Sequence, residues 1–114
     1  IKYKMYEYRA KVLDIHDGDT ITAMVDLGFR VFIEIKIRFF GINAPEIDGP
    51  TRNAGLKSKQ RVIDLISGKD IIIKTHKDKQ EKYGRWLGEI YLPKSDISVN
   101  KILINEGLAV PFME

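Results

Sequence analysis

A chain of 114 residues, 44% hydrophobic and 31% charged, has room for one domain (1–114) around one core and has the composition of a globular rather than a disordered protein. No apolar run approaches the roughly 18 residues of a membrane span, so no membrane partner is expected, and the lack of cysteine removes disulfides, thiolate nucleophiles and cysteine zinc sites. A net charge of +3 favours polyanionic partners without naming one.

The N-terminal run IKYKMYEYRA lacks the apolar stretch of a signal peptide. Because the sequence starts without Met, a removed leader or a trimmed chain stays open, and localisation, secreted or cytoplasmic, is not fixed. Residues 6–15 and 20–27 read as two strands joined through Asp17-Gly18, with the glycine expected to take a positive φ in a tight hairpin. Leu27-Gly28 makes a second turn. Residues 30–40 alternate, with Val31, Ile33, Ile35, Ile37 and Phe39 on one side and Glu34, Lys36 and Arg38 on the other, which predicts a half-buried strand. Residues 41–53, punctuated by Pro45, Gly49 and Pro50, read as a loop.

Leu56, Val62, Ile63, Leu65 and Ile66 predict a helix over 54–66, stopped by Ser67-Gly68. Residues 71–75 and 85–92 read as strands around a lysine-rich loop, 76–82. Asp96 or Ser98 can cap a short helix that turns Val99, Ile102 and Leu103 inward before Gly107 ends it. Three strands, helix, two strands, helix is mainly β (α+β) and fits a five-stranded OB-type Greek-key barrel with two helices, although a small open α+β sheet gives the same string.

Three segments concentrate the unusual polar residues: Asp17-Gly18-Asp19-Thr20, the stretch from Arg38 to Glu46, and Glu81-Lys82-Tyr83-Gly84-Arg85-Trp86. Each alone is compatible with an ordinary turn or a solvated strand end. In this order they resemble the staphylococcal nuclease family, whose pattern is DGDT, an arginine-led strand ending in a D-A-P-E or D-T-P-E loop, then D-K/R-Y-G-R. The resemblance covers nearly the whole chain.

That resemblance implies a calcium-dependent phosphodiesterase that hydrolyses DNA and RNA and leaves 3′-phosphate ends. It implies Arg38, Glu46 and Arg85 as the catalytic residues, with Glu46 the base acting on water and the two arginines clamping phosphate. Asp19, Asn43 and the carbonyl of Ala44 would bind calcium, and Lys82 and Tyr83 would contact phosphate of the bound nucleic acid. The chemistry is coherent: charge growing on phosphoryl oxygens calls for fixed cations, and the planar fork of arginine donates two hydrogen bonds to one phosphate. A ligand set made only of oxygens suits calcium and offers nothing that zinc prefers.

The family usually has aspartate where this chain has Asn43, a neutral amide that still ligates through oxygen. The further C-terminal helix of longer relatives, and a second tyrosine some bring from it, have no counterpart up to Glu114. His16 and His76 lie in no motif and read as solvated or structural. The lysines at 69, 74, 77, 79 and 82, interleaved with Asp70, Asp78 and Glu81, read as a solvated loop rather than a phosphate-tracking stripe. Expected partners are DNA and RNA, mainly single-stranded, with no protein partner, and the chain is expected to be a monomer. A catalytically silent nucleic-acid-binding barrel is the alternative.

Overall fold

In β1 (Glu7–Ile15) the inward residues are Ala10, Val12 and Ile15, a spacing no regular strand allows. The pairing with β2 (Thr20–Asp26) explains it. Val12 faces Ala23 and Asp14 faces Thr22, so Leu13 is an extra residue that bulges outward and resets the alternation. These features come from a computed structural model that describes residues 6–113 and leaves the side chains of 76 and 77 outside the description. The expectations for the side chains of His76 and Lys77 therefore lie outside the described residues.

Strand β2 pairs antiparallel with β3 (Phe32–Phe39), β3 pairs in parallel with β6 (Trp86–Tyr91), β6 pairs antiparallel with β5 (Asp70–Gln80), and β5 returns to β1. The order β1-β2-β3-β6-β5 closes a barrel, as the OB-type reading expects. Ile21, Ala23, Val25, Ile37, Phe39, Ile71, Ile73 and Ile90 fill it. Each large aliphatic side chain there contributes roughly 1.5–3 kcal/mol by leaving water.

Helix α1 (Arg52–Ile66) buries Gly55, Ser58, Val62 and Ile66, while Leu56 is exposed. Its inner face starts with two small residues that a search for apolar periodicity passes over. Helix α2 (Val99–Asn105) is capped by Ser98, whose hydroxyl accepts the Lys101 N–H at 3.0 Å, and Gly107 beyond its end has φ +73°.

Four expectations need correction. Residues 76–80, read as loop, continue β5, which leaves only a tight turn before β6. The stretch 41–53 holds a two-residue strand, β4 (Ile42–Asn43), which pairs with β7 (Val110–Pro111), and its last two residues already belong to α1. Gly18 does not take a positive φ, whereas Gly28 does, at +81°. The first half of β3 is not half-buried: β6 pairs with β3 only at residues 37–39, so Val31 and Ile33 overhang and stay exposed.

Candidate active site

The turn from Asp17 to Thr20 is held by its own polar groups. Asp17 Oδ1 accepts the Asp19 N–H at 3.0 Å, and the N–H of His16 donates to the Thr20 carbonyl at 3.0 Å. Gly18 is required for space: a Cβ there would sit 2.7 Å from the Ser58 Cβ and 2.8 Å from the Ala44 Cβ. This close approach brings Asp19 against the segment after β3. Asp19 is buried, its Oδ2 accepts the Ala44 N–H at 2.9 Å, and its Oδ1 accepts the Thr20 hydroxyl at 3.2 Å.

Arg38 lies on the outward face of β3, yet it is only 8% exposed. Its Nη1 donates to the carbonyls of Ile42 at 2.9 Å and Phe39 at 3.1 Å and lies 3.5 Å from Asp19 Oδ2, while Nη2 reaches Asn43 Oδ1 at 3.4 Å. The Phe112 ring covers it, with the centroid 5.7 Å from Cζ. β7 makes that cover, because its pairing with β4 continues into a Phe112 N–H bond to the Gly41 carbonyl at 2.8 Å.

Arg85 opens β6 from the other side. Glu81 holds its guanidinium, and Arg85 Nη1 donates to the Thr20 hydroxyl at 3.3 Å. The Tyr83 ring, 72% exposed, lies 5.7 Å from the Arg85 Cζ and 5.0 Å from the Lys82 Nζ. Asp17, Asp19, Arg38, Asn43, Glu46, Glu81, Lys82, Tyr83, Arg85, Phe112 and Met113 thus line one open cleft of about 480 Å³. Of the eight residues predicted for the site, seven meet there, and Ala44 is buried beside Asp19.

Asp17, Thr20, Glu81 and Phe112 join the site unpredicted. Asp17 and Glu81 sit inside the motifs but read from sequence as turn and loop residues, and nothing in the local sequence around Phe112 signals its contact with Arg38. Burial, followed by the adjacent Asp19 carboxyl and the charge of Glu46, pushes the Asp17 carboxyl up to about 6. The Arg85 side chain, bonded to Glu81, holds that carboxyl at about 2. His16 is structural, bonded to the Thr22 hydroxyl at 2.8 Å.

Residues 36–113 match the family model described as staphylococcal nuclease homologue. The chain belongs to that family. The Asp17–Thr20 turn lies outside the matched stretch, so its place in the cleft rests on the fold. A micrococcal nuclease of Shigella flexneri is 31% identical over 110 residues, covering 90% of this chain and 58% of that protein. Protein ParB of Escherichia coli is 29% identical over 111 residues, 90% of this chain and 56% of its own length. Endonuclease YhcR of Bacillus subtilis (strain 168) is 31% identical over 112 residues, 90% of this chain but 9% of that protein. The chain therefore spans little more than half of the first two proteins and a small part of the third.

For a staphylococcal nuclease homologue the donor chemistry of the cleft is apt for a hard cation. Among the described residues no three His, Cys, Asp or Glu side chains form a ready-made cage. The carboxylates of Asp17, Asp19 and Glu46 and the amide oxygen of Asn43 nonetheless share the cleft lining. Oxygen donors of this kind suit a hard divalent ion.

Proposed function

We propose that this chain is a calcium-dependent nuclease that hydrolyses phosphodiester bonds of DNA and RNA, mainly single-stranded, and leaves 3′-phosphate ends. The observation that carries this is the convergence of two arginines with Asp19, Glu46 and Tyr83 on a single cleft. The names of the Shigella and Bacillus relatives, nuclease and endonuclease, support the same reading.

Asp19, Asn43 and the Ala44 carbonyl are the residues we assign to calcium, whose contribution there is to neutralise charge on the phosphoryl oxygens. Glu46 takes a proton from water as that water attacks phosphorus. The bond from phosphorus to the 5′-oxygen breaks, and the departing oxygen takes up a proton from solvent. Arg38 and Arg85 supply fixed positive charge to the phosphate as its negative charge grows. Arg38 suits this role because its contacts with two backbone carbonyls and Asp19 orient it beforehand. Lys82 and Tyr83, on the rim, contact flanking phosphates.

Incubation of single-stranded DNA and RNA with the protein in calcium, in magnesium and in excess EGTA, with analysis of the product ends, tests the proposal. Cleavage in calcium to 3′-phosphate ends supports it, and full activity in EGTA removes the metal from the mechanism. Binding without cleavage in calcium would establish the silent nucleic-acid-binding barrel instead.

A further inference from the structure

Helix α1 holds a glycine in its interior, Gly55, whose backbone has no need of one, since its φ lies outside the positive region. A glycine within a helix is less favourable than alanine because it gives up more backbone freedom on folding. Space is what the residue provides. A Cβ at Gly55 would lie 2.5 Å from the Glu46 carbonyl oxygen, 2.7 Å from its carbonyl carbon and 2.9 Å from the Ile47 nitrogen. All three are backbone atoms of the loop that carries Glu46 into the cleft. The start of the helix grips this peptide and the next: the Thr51 hydroxyl donates to the Glu46 carbonyl at 2.8 Å, and Arg52 Nη1 donates to the Ile47 carbonyl at 3.3 Å.

We propose that Gly55 is a positioning residue for Glu46. Its bare Cα lets the peptide after Glu46 lie flush against α1, Thr51 fixes that peptide from its hydroxyl, and the pair sets where the Glu46 carboxylate enters the cleft. This rests on the reading of Glu46 as the base. Adding a methyl group would push the peptide outward by about 1 Å to reach ordinary contact, a displacement of the size that can cost about 10²-fold in rate when a reacting group is moved.

The test measures kcat and KM on a single-stranded oligonucleotide in saturating calcium for Gly55→Ala and Thr51→Val, each in the natural chain and in a Glu46→Gln background, with melting temperatures alongside. Gly55→Ala is expected to lower kcat about 10- to 100-fold with little change in KM. In the Glu46→Gln background it is expected to cost nothing further, because the group it positions is gone. Thr51→Val, at an exposed position, is expected to lower kcat by a smaller factor that likewise vanishes in that background, and it carries the test if Gly55→Ala does not fold. Natural turnover in both single variants, or equal losses in both backgrounds, overturns the inference while leaving Glu46 as base. Undiminished turnover by Glu46→Gln overturns the base assignment and the inference with it.

Discussion

The Glu81 carboxylate grips the Arg85 guanidinium along one edge, with Oε1 to Nε and Oε2 to Nη2 both at 3.1 Å, and the same Oε1 accepts the backbone N–H of Arg85 at 2.8 Å and of Tyr83 at 3.1 Å. One side chain therefore shapes the turn between β5 and β6 and aims a guanidinium into the cleft. The hydrogen bonds from the Arg85 side chain lower the Glu81 carboxyl from 4.5 to about 2. A carboxyl depressed in the folded state stabilises above its unfolded value, and that contribution fades as pH falls from 4.5 towards 2. Thermal melts should show the natural chain losing stability through that window, with Glu81→Gln less stable at neutral pH and flatter across it. Parallel melting curves for the two proteins would show that the pair contributes nothing.

Glu46→Gln and Arg85→Ala should each lower kcat by at least about 10²-fold, since one removes the proton acceptor and the other a charge facing the phosphate. Circular dichroism should show the fold retained in both, because Glu46 is an exposed loop side chain and Arg85 is only half-buried at a strand edge. Near-natural turnover under saturating substrate and calcium would remove the role assigned to that residue.

Arg38→Ala should behave differently, because Arg38 serves the fold as well as the site. Its loss leaves the Asp19 carboxylate without its cation and takes a donor from two backbone carbonyls. The expected cost is about 2–4 kcal/mol. In a chain of this size that is a fall in melting temperature of roughly 10 °C. Calorimetry should therefore separate the two arginines: inactivity with a small fall in melting temperature for Arg85→Ala, which loses its partly exposed pair with Glu81, and inactivity with a larger fall for Arg38→Ala. Equal melting temperatures would mean that the buried contacts of Arg38 are energetically idle.

Asn100 marks what could not be read ahead of the fold. It is a polar residue on a short helix, yet it is buried, accepts the Ile90 N–H at 3.0 Å and donates to the carbonyls of Phe40 at 2.8 Å and Gly88 at 3.2 Å. Those partners lie 10 to 60 positions away in sequence, so no local pattern could announce them. The barrel strands and α1 were legible because alternation and helical spacing are local signals. The motifs were legible because each site residue is close in sequence to another, as Arg38 is to Asn43 and Lys82 is to Arg85. Phe112 over Arg38 and Gly18 against Ser58 were hidden for the opposite reason, since each depends on where a distant segment returns, and Gly55 against Glu46 depends on how the loop between them folds back onto the helix. Asn100→Ala should lower stability by about 2–3 kcal/mol, read as a lower urea midpoint with unchanged slope. An unmoved midpoint would mean that water replaces the amide at no cost.

Asn43 is the position where the electrostatics of the cleft can be altered most simply. Its amide oxygen accepts from Arg38 Nη2 at 3.4 Å and lines the same cleft as Asp17, Asp19 and Glu46. Asn43→Asp keeps the shape and adds one negative charge. Part of that charge will be taken up by Arg38, and part opposed by the three carboxylates. If Asn43 ligates calcium, the remaining gain is on the order of 1–2 kcal/mol, which is roughly ten- to thirtyfold tighter binding. Turnover at saturating calcium is a separate quantity, because a metal with more charged ligands is a weaker Lewis acid and an arginine paired with a carboxylate offers less to phosphate. Calorimetric titration of calcium into both proteins, with a nucleotide phosphate present, decides the matter. Tighter binding places residue 43 in the metal shell. Unchanged affinity takes it out of that shell and leaves Arg38 as the only partner of its side chain that the described contacts give.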